Sequence, residues 1–477
     1  MTRSGWIVML PFIVLAATPV AVMLLVAVRR NYLLSTAITL IGLAAAFAML
    51  FVARSQDYRQ ATPLFLMDNF ALFYLGLLFA AAFFLVILSY RYLKDLAGNR
   101  EEFWILLLLA TLGSSVLVAS THFASFFLGL EVLSISLYSL IAYKRHSDIG
   151  VEAAIKYLVL AAVSTGFLLF GMALVYGQIG SMEFAQIASL HGSLDSGQRV
   201  FFLAGLGLMS VGIGYKLAVV PFHMWAPDVY EGAPAPVTAL IATISKGGVL
   251  ALLLRFFIQI DFRADNSLFW VFSVIAIASM FAGNILALLQ NNVKRLIAYS
   301  SIAHFGYILV AFLANGDLAI RAATFYLVTY FVATAGAFAV IIALSGSDRD
   351  ADNIEDYRGL FWSRPWLAAI FTVMLLSFAG IPLTGGFIGK FYLVAAGAQT
   401  SLWGLIMVLV VTSVIGLYYY LRIIVAMYQR PPEGEEALVP RLPALSEGFV
   451  LASTAVLAVW LGVYPAPLVH IIPSLIR

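Results

Sequence analysis

Apolar runs of membrane-spanning length recur along this chain from end to end, and they leave no room for a soluble domain. Lipid offers no partner to a peptide N–H or C=O, so each run must close its own hydrogen bonds as a helix. A spanning helix needs ~20 mostly apolar residues, and on that ruler the chain holds about fourteen spans. The first eight run roughly 6–28, 33–53, 68–90, 103–119, 122–143, 153–177, 200–225 and 235–258. The other six run roughly 267–289, 295–314, 319–345, 366–396, 402–428 and 447–464. The segment after Pro465 is too short to span and is expected at the interface. With 63% hydrophobic and 11% charged residues, the chain reads as an all-α polytopic membrane protein. The run Trp6 to Val28 is too long for a signal-peptide core and lacks a basic leader, so it reads as a retained transmembrane helix.

Several function classes fall away at once. Cysteine is absent, which removes disulfides, cysteine-ligated clusters and thiolate chemistry. The glycines around Gly205-Leu206-Gly207 and Gly212-Ile213-Gly214 sit in an apolar helix, where they suit close helix packing and not dinucleotide binding. Basic residues are scattered among short loops, so nothing points to nucleic acid. No His/Asp/Glu cluster has metal-ligand spacing.

Loop charge gives the orientation. Loops after odd-numbered spans hold Arg29-Arg30, Arg91/Lys94/Arg100, Lys144-Arg145, Lys294-Arg295, Arg349/Arg358/Arg364 and Arg430/Arg441. The other side holds Arg3, Arg54/Arg59, Arg199, Arg255/Arg263, Arg321 and Arg477. The richer side is expected to be cytoplasmic, which puts both termini on the periplasmic side of a bacterial cytoplasmic membrane.

Two spans look broken in their middles. Span 7 contains Pro221, and span 12 contains Ala379-Gly380-Ile381-Pro382-Leu383-Thr384-Gly385-Gly386. Proline removes a backbone donor and glycine lets the chain leave helical geometry. Such backbone at membrane depth must be buried in protein or line a wet cavity. One interrupted segment in each half points to a transporter built from inverted repeats. The expected division is three leading helices in 1–98, a five-helix repeat in 99–262, its inverted partner in 263–430, and a last helix with tail in 431–477.

The ionisable residues inside these spans carry the chemistry. A charge at the bilayer centre is disfavoured by at least ~2.5–3.5 kcal/mol, so such residues usually face the interior or water and mark ion paths. They are Glu131, Lys216, Lys246, Lys390 and, nearer a span end, Lys156. Burial disfavours a charged ammonium and a nearby carboxylate favours it. Moving Glu131 toward or away from Lys216 would therefore load or eject a proton. Glu131 could instead be a protonated packing group. Lys156 has Glu152 four residues before it, so a surface pair competes with a place in the path. His223 and His304 titrate near neutrality and could bridge lysines through water, or could be hydrogen-bonded packing residues. Asp228 and Glu231, in the following loop, read as solvated charges.

At these residues the chain resembles a known family. Val220-Pro221-Phe222-His223-Met224-Trp225-Ala226-Pro227-Asp228-Val229-Tyr230-Glu231-Gly232-Ala233-Pro234-Ala235-Pro236 looks like a signature of the antiporter-like membrane subunits of proton-pumping NADH:quinone oxidoreductase, respiratory complex I. The stretch from Lys294-Arg295-Leu296-Ile297-Ala298-Tyr299 through His304-Phe305-Gly306-Tyr307 resembles a second family motif. Gly380-Ile381-Pro382, Gly389-Lys390-Phe391 and Gly416-Leu417-Tyr418-Tyr419-Tyr420-Leu421-Arg422 extend the likeness, which is nearest to the bacterial N branch. Multisubunit cation/proton antiporters and related membrane-bound hydrogenase complexes share parts of the pattern and stand as the alternative.

The resemblance implies that Glu131 and Lys216 form a pair, Lys246 a central relay and Lys390 the far end. Lys156, His223 and His304 would connect them through water. It also implies proton translocation driven by quinone reduction elsewhere, in a translocase subunit with no redox site of its own. No cofactor is expected in this chain; flavin, iron–sulfur clusters and the quinone site belong to partner subunits. The expected partners are the other membrane subunits of the complex, antiporter-like and small.

Overall fold

A computed structural model describes residues 3–56, 60–96, 98–260, 266–346, 349–430 and 445–472. The loop arginines Arg59, Arg263, Arg441 and Arg477 lie outside the described residues. Among the described residues the regular structure is helical, except for one hairpin, β1 (Gln60–Thr62) with β2 (Phe65–Leu66). Among the described residues, thirteen helices are long and apolar enough to cross a membrane. The fourteenth predicted span is present as two shorter helices on either side of its break.

In chain order the helices begin with α1 (Arg3–Val8), α2 (Leu10–Val28), α3 (Tyr32–Arg54) and α4 (Asn69–Lys94). Next come α5 (Glu102–Ala119), α6 (Phe123–Ile141), α7 (Asp148–Ile179), α8 (Phe184–Leu190) and α9 (Ser196–Leu217). After the first break follow α10 (Trp225–Gly232), α11 (Ala235–Leu240), α12 (Lys246–Gln259), α13 (Asn266–Leu288), α14 (Val293–Ala314) and α15 (Asp317–Leu344). The remainder is α16 (Leu360–Ser363), α17 (Pro365–Ala379), α18 (Gly385–Gln399), α19 (Trp403–Tyr428), α20 (Leu445–Val463) and α21 (Ala466–Ile471).

Contacts group these elements into two compact units. One comprises Met1–Phe83, Asn99–Trp225 and Ile244–Phe272; the other comprises Phe84–Gly98, Ala226–Thr243 and Ser273–Arg477.

In the first unit, small residues set the helix spacing. A Cβ added to Gly113 of α5 would lie 2.5 Å from the Leu133 nitrogen of α6. One on Gly171 of α7 would lie 2.5 Å from the Gly205 carbonyl of α9. Only bare backbones fit at that distance, the packing expected for the α9 glycines. Helix starts are capped by side chains that the sequence supplies on cue. The His122 imidazole accepts from the Ala124 N–H, Ser147 from Gly150, and Asp195 with Gln198 closes a capping box on α9.

In the second unit, α14 and α15 are almost wholly buried, whereas α7 and α2 each bury only a third of their most apolar stretch. The continuous span Ala235–Phe257 is entirely buried, and its Lys246 falls in the part assigned to the first unit. A buried ionisable group thus rides on the helix best shielded from lipid.

The two breaks end their helices alike. After α9, Ala218 adopts φ +59°, Ala218 N–H donates to Tyr215 O, and Val219 N–H to Gly214 O at 3.0 Å. After α17, Gly380 adopts φ +79°, with Gly380 N–H on Ser377 O and Ile381 N–H on Leu376 O. Both are Schellman caps. The first differs from its expected form, because α9 runs unbroken for 22 residues and the break falls at its end, not its middle. Pro221 lies inside that break, and Pro382 inside the second.

Candidate functional site

Lys216 occupies the last turn of α9 and is buried. Its ammonium donates to Ser134 Oγ of α6 at 2.7 Å and to the Tyr157 hydroxyl of α7 at 3.0 Å, and lies 5.0 Å from the Tyr157 ring centre. Tyr157 is held in turn, since its backbone carbonyl accepts from the Tyr215 hydroxyl. Trp225 reaches back over the break and donates its indole N–H to the Tyr215 carbonyl at 2.8 Å. The break is therefore closed by side chains from both ends.

Glu131 lies one turn before Ser134 on α6 and is half-buried. It accepts from Thr165 Oγ1 of α7 at 3.2 Å. Among the described residues no ion pair joins it to Lys216. The structure brings both groups to the same pair of helices, with neutral hydroxyls on the lysine. Ser134 and Tyr157 were missed by sequence reasoning. The only signal for Ser134 was its i,i+3 spacing from Glu131, which puts both on one helix face.

Lys246 is fully buried at the first position of α12. Just before it, Ile241–Ser245 form a π-helical turn, a local widening that frequently marks functional sites and that the sequence did not announce. Two residues later, Gly248 packs directly on α5, where an added Cβ would stand 2.9 Å from Ser114.

Lys156 forms the surface pair that stood beside a place in the path as its alternative reading. Its ammonium pairs with Glu152 at 2.7 Å, with both side chains largely exposed. Its helix neighbours Ile155 and Val159 are exposed too, so this is the outer face of α7. The i,i+4 geometry explains the pair without a relay. His223 lies within the first break, buried, with its Nδ1 lacking a hydrogen-bond partner among the described residues.

In the second unit, Lys390 is buried on α18 and reaches back across its own break to the Ala379 carbonyl at 2.9 Å. That carbonyl belongs to the last turn of α17, where orphan C=O groups make a negative end. The ammonium also lies 5.2 Å from the centre of the Tyr307 ring. His304 is buried on α14, its Nδ1 2.6 Å from the Tyr326 hydroxyl and its Nε2 3.1 Å from the Tyr420 hydroxyl.

Charges read as loop groups turn out to be structural. Arg295, at the start of α14, bridges Asp228 at 2.8 Å and Glu231 at 2.7 Å, so those acids are ion-paired while still partly exposed. Lys294 is buried against Asp350 at 2.7 Å and the Ala233 carbonyl, and Asp350 also takes the Tyr92 hydroxyl and the Ala235 N–H. Next to it, burial holds the Asp352 carboxyl above the ordinary carboxylate range, against the downward pull of the Lys294 ammonium. Arg255 is likewise buried on α12, gripping Asp68 and the Val118 carbonyl. The two sequence motifs are thereby tied together by ion pairs, through the α10 acids and the base of α14.

Known proteins resemble this chain over most of its length. Residues 120–416 match the family model described as NADH:quinone oxidoreductase/Mrp antiporter, TM. NADH-quinone oxidoreductase subunit N of Nitrosospira multiformis is 50% identical over 97% of this chain and 94% of its own. The subunit N of Ectopseudomonas mendocina is 46% identical over 99% of this chain and 96% of its own. The chain belongs to the subunit N family. Among solved structures, a chain of respiratory complex I from Thermus thermophilus with bound aureothin superposes with a TM-score of 0.83. It is 34% identical, covering 97% of this chain and 99% of that one. Glu131, Lys156, Lys216, His223, Lys246, His304 and Lys390 all fall within the segment matched by the family model.

Proposed function

We propose that this chain is a proton-translocating membrane subunit of an NADH:quinone oxidoreductase, working with the other membrane subunits of that complex. The observation that carries the mechanism is the setting of Lys216. A buried ammonium is held by two neutral hydroxyls while an acid, Glu131, waits one turn away on the helix that supplies Ser134. When Glu131 swings to Lys216, the pair favours the charged lysine; when it withdraws, burial favours the neutral amine and the proton leaves. In our reading the proton passes through Lys246 and ends at Lys390, and quinone reduction elsewhere supplies the driving force.

The same reading assigns the finer points. The chain acts as part of a translocase without a redox site of its own. Flavin, iron–sulfur clusters and the quinone site sit in partner subunits. Residues 99–262 and 263–430 act as inverted repeats, each with one break. The complex lies in the bacterial cytoplasmic membrane with both termini of this chain periplasmic. The helices of membrane-spanning length and the uneven loop charge support that placement.

The test is the assembled complex carrying Lys216→Ala or Glu131→Ala, reconstituted in liposomes. Protons moved per NADH should fall sharply, with coupled quinone reduction slowed. A full proton ratio in the Lys216→Ala complex would sink the mechanism.

A further inference from the structure

His304 stands in an environment that the lysine series does not explain. A neutral imidazole has one donor and one acceptor nitrogen, and a carbonyl or carboxylate partner fixes which is which. Here each ring nitrogen meets a phenol hydroxyl, Tyr326 at Nδ1 and Tyr420 at Nε2. A hydroxyl can donate or accept, so either tautomer is satisfied without moving a heavy atom. The series extends one step further, because the Tyr420 hydroxyl is hydrogen-bonded to Ser300 Oγ, again a pair in which either atom can donate. All four groups are buried, on α14, α15 and α19.

At the Tyr326 end lies a small cavity, lined by His304, Tyr326, Thr329, Tyr330, Ser377 and Gly386 among others. Its volume of about 10 Å³ suits one water molecule, and its hydroxyl lining could hold it. Ser377 is in the last turn of α17 and Gly386 in the first turn of α18, so the cavity borders the second break. Gly386 is four residues before Lys390, on the same face of α18. Tyr326 also packs on the bare backbone of Gly389, where an added Cβ would lie 2.6 Å from its ring.

We propose that Ser300, Tyr420, His304 and Tyr326 form a reversible proton wire opening on this cavity, which makes Tyr420 and Tyr326 relay residues beside Lys390. In one passage Tyr420 gives its hydroxyl proton to Nε2 and takes one from Ser300, which is replenished by the proton entering the wire. Nδ1 gives its proton to the Tyr326 oxygen, and Tyr326 passes its own to the cavity water. One proton crosses, no net charge is left on any member, and the ring ends as the other tautomer. The wire rests on the reading of Lys390 as the far end of the path.

The experiment compares three assembled complexes in liposomes by protons moved per NADH. They carry Lys390→Ala, the double change Tyr326→Phe/Tyr420→Phe, and His304→Gln. Phenylalanine keeps both rings, and glutamine keeps a hydrogen-bonding group that cannot exchange tautomers. The wire predicts that the double variant and His304→Gln fall to the reduced ratio of Lys390→Ala. A full ratio in both beside a reduced Lys390→Ala overturns the wire and leaves the lysine reading standing. A full ratio in Lys390→Ala beside a reduced double variant overturns the lysine reading and keeps the wire. As a second readout, 3-fluorotyrosine at 326 keeps the ring and hydroxyl but makes the phenol more acidic. It should shift the pH profile of pumping toward lower pH; an unmoved profile would mark the hydroxyl as merely structural and overturn its relay role.

Discussion

The two breaks use the same backbone motif and give their lysines opposite partners. Beside the first, Lys216 is held by side chains of two neighbouring helices, Ser134 and Tyr157. Beside the second, Lys390 is held by the backbone of its own broken span, the Ala379 carbonyl. A side-chain hydroxyl can be exchanged for another acceptor by a rotamer change, and Glu131 is the acceptor at hand. A helix-end carbonyl cannot move without unwinding the helix. On the proposed mechanism the difference makes Lys216 the group that switches and Lys390 the fixed station.

The comparison can be broken most decisively at the acid. Glu131→Gln leaves the Thr165 contact possible but removes the charge that draws Lys216, and should abolish this chain's share of pumping. Among the described residues no acid pairs with Lys390, so Lys390→Ala should reduce the proton ratio without altering the dependence on Glu131. Next in size is the pair Ser134→Ala/Tyr157→Phe. Hydrogen bonds to a charged group contribute ~1.5–3 kcal/mol each, so losing both should bias Lys216 toward Glu131 at least about tenfold. Turnover of the assembled complex should slow while the proton ratio survives.

Smaller effects sharpen the backbone side of the comparison. Alanine in the left-handed region costs about 1–2 kcal/mol, so Ala218→Gly should raise thermal stability by a little under that and leave pumping unchanged. The corresponding Gly380→Ala should destabilise, and its new Cβ would stand 2.8 Å from the Lys390 side chain. The smallest change expected is Lys156→Ala. An exposed i,i+4 pair contributes only about 0.3–0.5 kcal/mol, and neither stability nor proton ratio should move measurably.

Much of the fold was legible because membrane spans announce themselves by length, and the broken spans by Gly380, Pro382 and Pro221. Where the first helix ends was not legible. Its cap is Ala218, a residue type that the left-handed region disfavours, and its hydrogen bonds to Gly214 and Tyr215 leave no compositional trace. The π-turn before Lys246 was equally silent. Lys216, Lys246 and Lys390 could be picked out because a charge inside an apolar run is conspicuous. Their partners could not, since Ser134 and Tyr157 are ordinary helix residues, brought near only by packing of α6, α7 and α9. The same blindness made Lys294, Arg255, Asp228 and Glu231 look like loop charges. Each is neutralised by a partner at least 56 residues away in sequence, which no local window can see.

The central claim is that Lys216 exchanges partners while Lys390 does not. The most direct measurement is a high-resolution structure of the assembled complex during NADH turnover, sorted into its conformational classes. The account predicts two positions for the Lys216 ammonium, one on Ser134 and Tyr157 and one within about 4 Å of Glu131, with Lys390 on Ala379 in both. A single Lys216 position in every class, or a Lys390 that changes partner instead, would contradict it.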